Sequence, residues 1–471
     1  MRKALLAVYT AGHFTELRRT AVLLRQSQRY APAFLFSRWY YGDLDRDAAI
    51  CEAEGIPWLT EALSTAELDR RSANQPSGAG AAVATRRGVM ATVSKLPFPF
   101  TAVRAIARQA RELYRARHII KTERPDLVVL AEDGVAYETA ALIKAAHEQG
   151  IPAVILPFTV CNALEPAETF FHNPAYSLER WSNRLVGSLY PRWVFAHRGR
   201  RLLRMPAAQV LAKEWWGLAP PLPWQMNSGA ADAVAVESAF MEAYYRREGL
   251  PPEKLITTGT LADDVLAEAR LNAAERRKEI CAELGFASDR RLILCALPPD
   301  QFKISGSQAD APNYATLVQV WVQALAALPG CNIVVRLHPR MSYEAYKYIE
   351  TWGVRISQHD TASLVPLCDL FVASVSATIR WAIACGKPVL NYDVYRLHWT
   401  DFDDAPGVLR VEDRQAFVET LRMLVTDEAF FNDVRARQQA DASRWGRLDG
   451  CAHHRILECF DHLVKRPDSA A

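Results

Sequence analysis

The chain predicts an α/β protein built from two doubly wound, Rossmann-like domains facing across a cleft. Three observations carry that prediction. The first residues alternate strand and helix in a βαβ rhythm, and the same rhythm returns from residue 292 to residue 391. The third is length: 471 residues exceed what one hydrophobic core serves, because cores stop growing at roughly 250–300 residues.

In order, residues 4–9 read as a strand, 10–14 as a loop, 15–30 as a helix and 33–36 as a second strand, with no hairpin signal between the strands. Residues 72–92, rich in Gly, Ala and Ser, read as a loop, and a long helix is expected after them. Pro125 precedes the near-continuous apolar run 126–131, the pattern of a parallel strand covered on both faces. Helix 135–148 and strand 153–157 complete another unit. Residues 158–227, with Trp181, Trp193, Trp215, Trp216 and Trp224 among arginines and prolines, break the rhythm and read as an insertion. It resumes with strand 233–236, helix 238–248 and strand 255–259. The charged helical stretch 262–287 is expected to connect a domain of residues 1–261 to one of residues 288–471. In the second domain, strands are expected at 292–296, 333–337, 354–356, 370–373 and 388–391, with helices between them.

Chemistry is expected where such strands end, because loops and helix N-termini converge at the carboxyl edge of an open α/β sheet. His338-Pro339 directly follows a strand. Proline fixes its own φ and biases the preceding residue toward extended backbone, which narrows the directions the imidazole can take. Such a His can donate to a phosphate oxygen or act as a general acid; a loop-capping His is the alternative. Ser374, Ser376 and Thr378 precede a helix, where hydroxyls and free N–H groups suit an anion and equally suit an N-cap. Glu132-Asp133-Gly134 offers carboxylates that can accept a hydroxyl proton, or that load the N-terminus of the next helix; Gly134 allows a turn without a Cβ. Three loop features accompany these: Gly12 with His13 after the first strand, Gly259 at the last strand end before the linker, and Gln301 with Lys303 in PPDQFK. Each also fits ordinary turn chemistry.

Glu132-Asp133-Gly134, His338-Pro339 and Ser374 to Thr378 together resemble the motifs of the GT-B glycosyltransferases. More narrowly, they resemble bacterial sialyltransferase, polysialyltransferase and capsule Kdo-transferase families. The resemblance follows the order of both domains, on motifs of two or three residues. It implies Asp133 as general base with Glu132 beside it, His338 and Pro339 at the donor phosphate, and Ser374, Ser376 and Thr378 binding that phosphate. It also implies an acceptor domain followed by a nucleotide-sugar domain, with a CMP-activated acidic sugar as the expected donor and a glycan or lipid-linked acceptor in bacterial surface polysaccharide synthesis. No cofactor or metal is expected, and Asp263-Asp264 reads as a helix cap rather than a metal site. UDP-N-acetylglucosamine 2-epimerases share the fold, but their DSGG and HVEAG segments are missing here, as is the TDYSS-like segment of the glycerophosphotransferases. The 158–227 insertion has no counterpart in the sialyltransferases. A UDP-sugar enzyme and a noncatalytic scaffold of the same fold are the competing readings.

Net charge is +3, so nothing global points to nucleic acid. The positive charge is uneven, however: nine Lys/Arg against Glu112 between Arg86 and Lys121, and eight against Glu179 between Tyr176 and Lys213. Arg104, Arg108, Arg111 and Arg115 recur at helical spacing, with Val103, Ile106, Ala110 and Leu113 expected mainly on other faces and Phe98 and Phe100 ahead of them. Such a helix suits an anionic membrane surface or a solvated basic face. The nine scattered cysteines, without a CxxC pair, read as reduced thiols, and Cys451, His453, His454 and Cys459 as helix packing. With no cleavage-site pattern and no run of ~20 apolar residues, a cytoplasmic protein is expected, peripheral on the inner face of the membrane in the lipid-acceptor reading.

Overall fold

A computed structural model describes residues 1–60, 97–157, 163–302, 308–339 and 341–465. The expected 72–92 loop, Lys303 and Cys161 lie outside these residues.

The first half contributes β1 (Arg2–Thr10), β2 (Tyr30–Tyr41), β3 (Trp58–Thr60), β4 (Leu127–Leu130), β5 (Ala153–Ile155), β6 (Val194–His197), β7 (Arg200–Leu203), β8 (Ala233–Val236) and β9 (Leu255–Thr257). Seven of them form a sheet of order β3-β2-β1-β4-β5-β8-β9, with every pair parallel. The second half contributes β10 (Arg291–Ala296), β11 (Cys331–Arg336), β12 (Arg355–Ile356), β13 (Leu370–Ala373), β14 (Val389–Tyr392) and β15 (Val408–Val411), also all parallel, in the order β12-β11-β10-β13-β14-β15. Both orders reverse direction once, between β1 and β4 and between β10 and β13. At such a switch point, neighbouring crossovers leave toward opposite faces and open a crevice at the strand ends.

Burial explains why these runs are strands. β4 and β13 are buried at every residue, as crossover helices on both faces require. In the second unit Trp321, from the helix Tyr314–Ala326, stacks on Tyr392 of β14 at 5.0 Å, and Tyr392 stacks on Phe417 at 4.5 Å. This aromatic column joins helix, sheet and the later helix Arg414–Thr426 in one core.

The chain divides into two compact units: Met1–Val236 with Glu242–Thr258 and His453–Ala471, and Glu237–Met241 with Gly259–Ala452. Two sequence expectations change here. Residues 262–287 form the helices Leu261–Leu271 and Ala273–Glu283 within the second unit, where Arg277 bonds the Leu367 carbonyl at 3.3 Å and Asp369 at 3.0 Å. The chain from His453 onward belongs to the first unit. Asp461, on the helix Ala452–Lys465, accepts from Arg2 at 3.1 Å, Arg29 at 3.1 Å and the Tyr30 hydroxyl at 2.9 Å, beside the start of β1 and β2. No local pattern signals this return, because its partners lie more than 400 residues away in sequence.

The described part of the 158–227 insertion is folded. It includes the helices Leu164–Phe170, Trp181–Leu189 and Ala207–Trp215 and the antiparallel hairpin β6–β7. The hairpin turns on Arg198 (φ 46°) and Gly199 (φ 74°), the positive-φ pair that a two-residue turn needs to match strand twist. Trp193 is fully buried and donates to Glu214 at 2.6 Å, while Trp224 donates to the Trp193 carbonyl at 2.9 Å. These tryptophans are the insertion's own core.

Among the described residues the eight cysteines are free, and five are buried. No described helix is long and apolar enough to cross a membrane.

Candidate functional site

In the first unit the switch-point loops are those after β1 and β4. The expected 10–14 loop is helical: Thr10 caps the helix Ala11–Ser27 by accepting from the His13 backbone at 3.2 Å. Gly12 therefore lies in a helical first turn and is exposed, rather than in an open loop. The cap brings His13 into the crevice, where its Nε2 lies 3.1 Å from Glu132 Oε1. Both residues are buried, and the edge-on ring of Tyr137 packs on the imidazole at 5.4 Å. From the sequence alone, His13 reads only as part of a loop. The strand order, which the sequence does not give, supplies the reason: a His three residues past the first strand and an acid two past the fourth lie at neighbouring strand ends when the order is 2-1-4.

Asp133, expected as the general base, is engaged by the protein's own backbone. It is fully buried; Oδ1 accepts from the Ser228 N–H, and Oδ2 accepts from Ala230 N at 2.7 Å and Ala231 N at 3.0 Å. Burial pushes its carboxyl up and these backbone donors oppose that shift. A carboxylate bound on both oxygens by one loop is positioned to hold that loop, which is where the insertion rejoins the sheet. Gly134 is needed for close approach: a Cβ there would lie 3.1 Å from the Met226 carbonyl and 3.3 Å from Glu132 Oε2.

In the second unit the switch-point loops follow β10 and β13. Val375, in the second of them, has φ 41°, a left-handed conformation that costs a β-branched residue strain. The side chain of Asn391, buried at the end of β14, accepts its N–H at 2.9 Å and holds the turn. Ser376 Oγ accepts from Thr378 N at 3.3 Å and lies 2.8 Å from Thr378 Oγ1, a local turn just ahead of the helix Thr378–Ala384, whose N-cap residue, Ala377, has no side-chain cap. That helix has seven residues, which leaves hydroxyls and backbone N–H groups, rather than a long dipole, as the local attraction for an anion. Ser374, Ser376 and Thr378 are all half-buried. Neither Val375 nor Asn391 was identifiable from sequence, since strain and its buried clamp depend on tertiary contacts.

His338 is half-buried and Pro339 exposed, just past β11; the His338 carbonyl accepts from Met341 N at 2.8 Å. The strand order places β11 beside β10, so this loop shares the carboxyl edge but stands one strand away from the switch point. Gln301 follows β10, and its N–H donates to the Tyr395 hydroxyl at 3.2 Å, which in turn donates to the Pro299 carbonyl at 2.8 Å. Gly259 (φ 75°) turns the chain into Thr260, whose hydroxyl and Asp263 form a reciprocal capping box. This accounts for Gly259 without a ligand.

Asp263 does more than cap. Its Oδ1 receives Arg380 Nη2 at 2.9 Å, with both side chains buried, and Arg380 also donates to Thr260 at 3.2 Å and to the Trp445 carbonyl at 3.0 Å. Glu237 belongs to the same unit. Burial pushes its carboxyl up to about 7, with Arg380 opposing and Asp263 adding to the shift, and its Oε2 lacks a hydrogen-bond partner among the described residues. The ordinary carboxyl ionises near 4.5 and the folded one near 7, so the folded state holds an extra proton between those values. Stability is therefore full below about 4.5, declines by about 3 kcal/mol as pH rises to about 7, and stays at the lower level above. Urea titrations across this range should show that decline in the wild type and its loss in Glu237→Gln.

Asp393, His398 and Glu412 bring ligand-type atoms within 4.8 Å of one another. The two Asp393 oxygens already accept from Leu397 N at 2.9 Å and His398 N at 2.7 Å, so this carboxylate clips its own loop.

No family model matches the chain, and no curated protein is similar to it in sequence. Solved structures are similar in fold. A UDP-GlcNAc 2-epimerase from Neisseria meningitidis, bound to UDP-GlcNAc, is 13% identical with a TM-score of 0.52, covering 98% of this chain and 100% of its own. The glycotransferase of kitacinnamycin is 13% identical with a TM-score of 0.54, covering 98% of each chain. The similarity extends over nearly the whole length, and with the two parallel sheets it makes this a GT-B-type fold of two Rossmann-like domains.

Proposed function

We propose that the protein is a glycosyltransferase using a nucleotide-sugar donor. The observation that carries this reading is the buried His13–Glu132 pair at the first switch point. An acceptor hydroxyl attacking an anomeric carbon must lose its proton. A His whose Nε2–H is held by a carboxylate takes that proton on Nδ1, and the carboxylate stabilises the imidazolium that forms. Glu132 is then the positioning partner and His13 the base.

The departing nucleotide phosphate needs donors rather than a base. His338, next to Pro339, with Ser374, Ser376 and Thr378, supplies them on the second unit, and Gln301, after β10, is a further candidate. This division needs neither a cofactor nor a metal. The three short motifs favour a CMP-activated acidic sugar and a glycan or lipid-linked acceptor in surface polysaccharide synthesis.

A second reading, a UDP-sugar enzyme of the 2-epimerase kind, is favoured by the fold similarity to the Neisseria epimerase. Thermal-shift titration with CMP, CDP and UDP separates the readings. Stabilisation by CMP alone is expected for an acidic-sugar donor, by UDP for the second reading, and by none of the three if the protein is a noncatalytic scaffold.

A further inference from the structure

The two basic stretches of the sequence, 86–121 and 176–213, are far apart in the chain, yet the structure brings their described parts together. The helix Phe98–Glu123 packs against the helix Ala207–Trp215, which packs in turn on Trp181–Leu189. Phe98 also meets the Trp181 ring directly, edge-on at 5.4 Å.

Both outer helices present apolar side chains to solvent. On Trp181–Leu189 the exposed stripe is Trp181 (60%), Leu185 (50%) and Leu189 (62%), at i, i+4 and i+8. On Phe98–Glu123 it is Phe100 and Val103, each 67% exposed. Val103 lies on the solvent face, and the covered positions are Leu113, Ala116 and Ile120. Exposed arginines flank both stripes, Arg104 and Arg111 on one helix and Arg184 on the other. Arg108 differs, since Glu112 at 2.7 Å and Glu138 at 3.6 Å engage it.

Exposed Trp, Leu and Phe beside Arg is a combination that water does not favour and that a bilayer interface does. The apolar chains enter the boundary between headgroups and acyl chains while the guanidinium groups meet anionic phosphates. A second copy of the same face would instead set arginine against arginine. We propose that this two-helix face docks the protein on an anionic lipid bilayer. The proposal stands independently of the catalytic reading, because it rests on a surface and not on the switch-point residues.

The test is co-sedimentation of the full-length protein with phosphatidylcholine vesicles, with or without phosphatidylglycerol. Wild type should pellet with the anionic vesicles about tenfold more than with neutral ones, and less as salt is raised. Trp181→Ser/Leu185→Ser/Leu189→Ser should lose about tenfold in binding, as should Phe100→Ser/Val103→Ser on the other helix. Circular dichroism checks that each variant is folded, and two independent variants keep the test open if one is not. Arg104→Gln/Arg111→Gln/Arg184→Gln should remove the preference for anionic lipid. Wild type that stays in the supernatant with anionic vesicles overturns the proposal, and so do folded apolar variants that pellet like wild type. A concentration-dependent dimer in ultracentrifugation that is lost in the apolar variants would also overturn it, assigning the face to self-association.

Discussion

Asp263→Ala is expected to destabilise the second unit by about 3–5 kcal/mol, because it leaves the Arg380 guanidinium buried without its counter-ion. The loss has two parts. The larger is the loss of the paired charge: Arg380 is almost completely buried, and neither the Thr260 hydroxyl nor the Trp445 carbonyl, to which it also donates, carries a charge to replace that of Asp263. The smaller is the capping box, in which the Asp263 carboxylate accepts from the Thr260 N–H at 2.9 Å; losing a cap costs about 1 kcal/mol. Arg380→Met should cost a similar amount for the mirror-image reason, leaving a buried carboxylate. The double variant should recover much of the loss, since a buried ion pair replaced by apolar groups is often close to neutral. Urea denaturation followed by tryptophan fluorescence measures all three, with Trp445 as a reporter beside the pair. A change below about 1 kcal/mol for Asp263→Ala would be inconsistent with a charge held out of water.

The second large effect concerns catalysis. With the donor identified by the nucleotide titration, His13→Ala should lower turnover by about 10²–10⁴-fold, the range for removing a positioned general base. Donor affinity should change little, because the donor phosphate is assigned to the second unit. Glu132→Gln keeps the shape and one hydrogen bond but removes the charge that favours the imidazolium, so turnover should fall and its dependence on pH should move. Asp133→Asn separates the roles. A fall in stability with catalysis per folded molecule retained fits a loop-holding Asp133, whereas a rate loss in a fully stable variant would restore it as the base. Full activity in His13→Ala would end the proposed proton path.

The outcome for neighbouring acids shows what could be read from the chain. Glu132 and Asp133 were visible as a pair at a strand end, because an apolar run ending in acids and glycine is a local pattern. Which of the two is engaged by the protein itself was not visible, since Asp133 is bound by Ser228, Ala230 and Ala231, about a hundred residues later. Likewise the strand ending at Ala373 and the hydroxyls after it were legible. The left-handed Val375 and the Asn391 that clamps it were not, because a strained dihedral leaves no trace in composition. The cap at Thr10 was misread as a loop residue: the Thr that ends β1 also starts the helix, and no residues separate the two elements.

By itself, the sequence determined the class of the protein. Near-continuous apolar strands at β4 and β13, crossover helices between them and a length beyond one core allow few arrangements other than parallel sheets in two domains. These are short-range properties, set by side-chain burial within each element. Only the tertiary structure decided the strand order, and with it which loops share a switch point, that His13 pairs with Glu132, that the last helix returns to β1 and β2, and that helices from two distant basic stretches pack together. Each of these depends on contacts between residues tens to hundreds of positions apart, and whether a polar side chain there is satisfied by its neighbours or left for a ligand is settled only when the chain is packed.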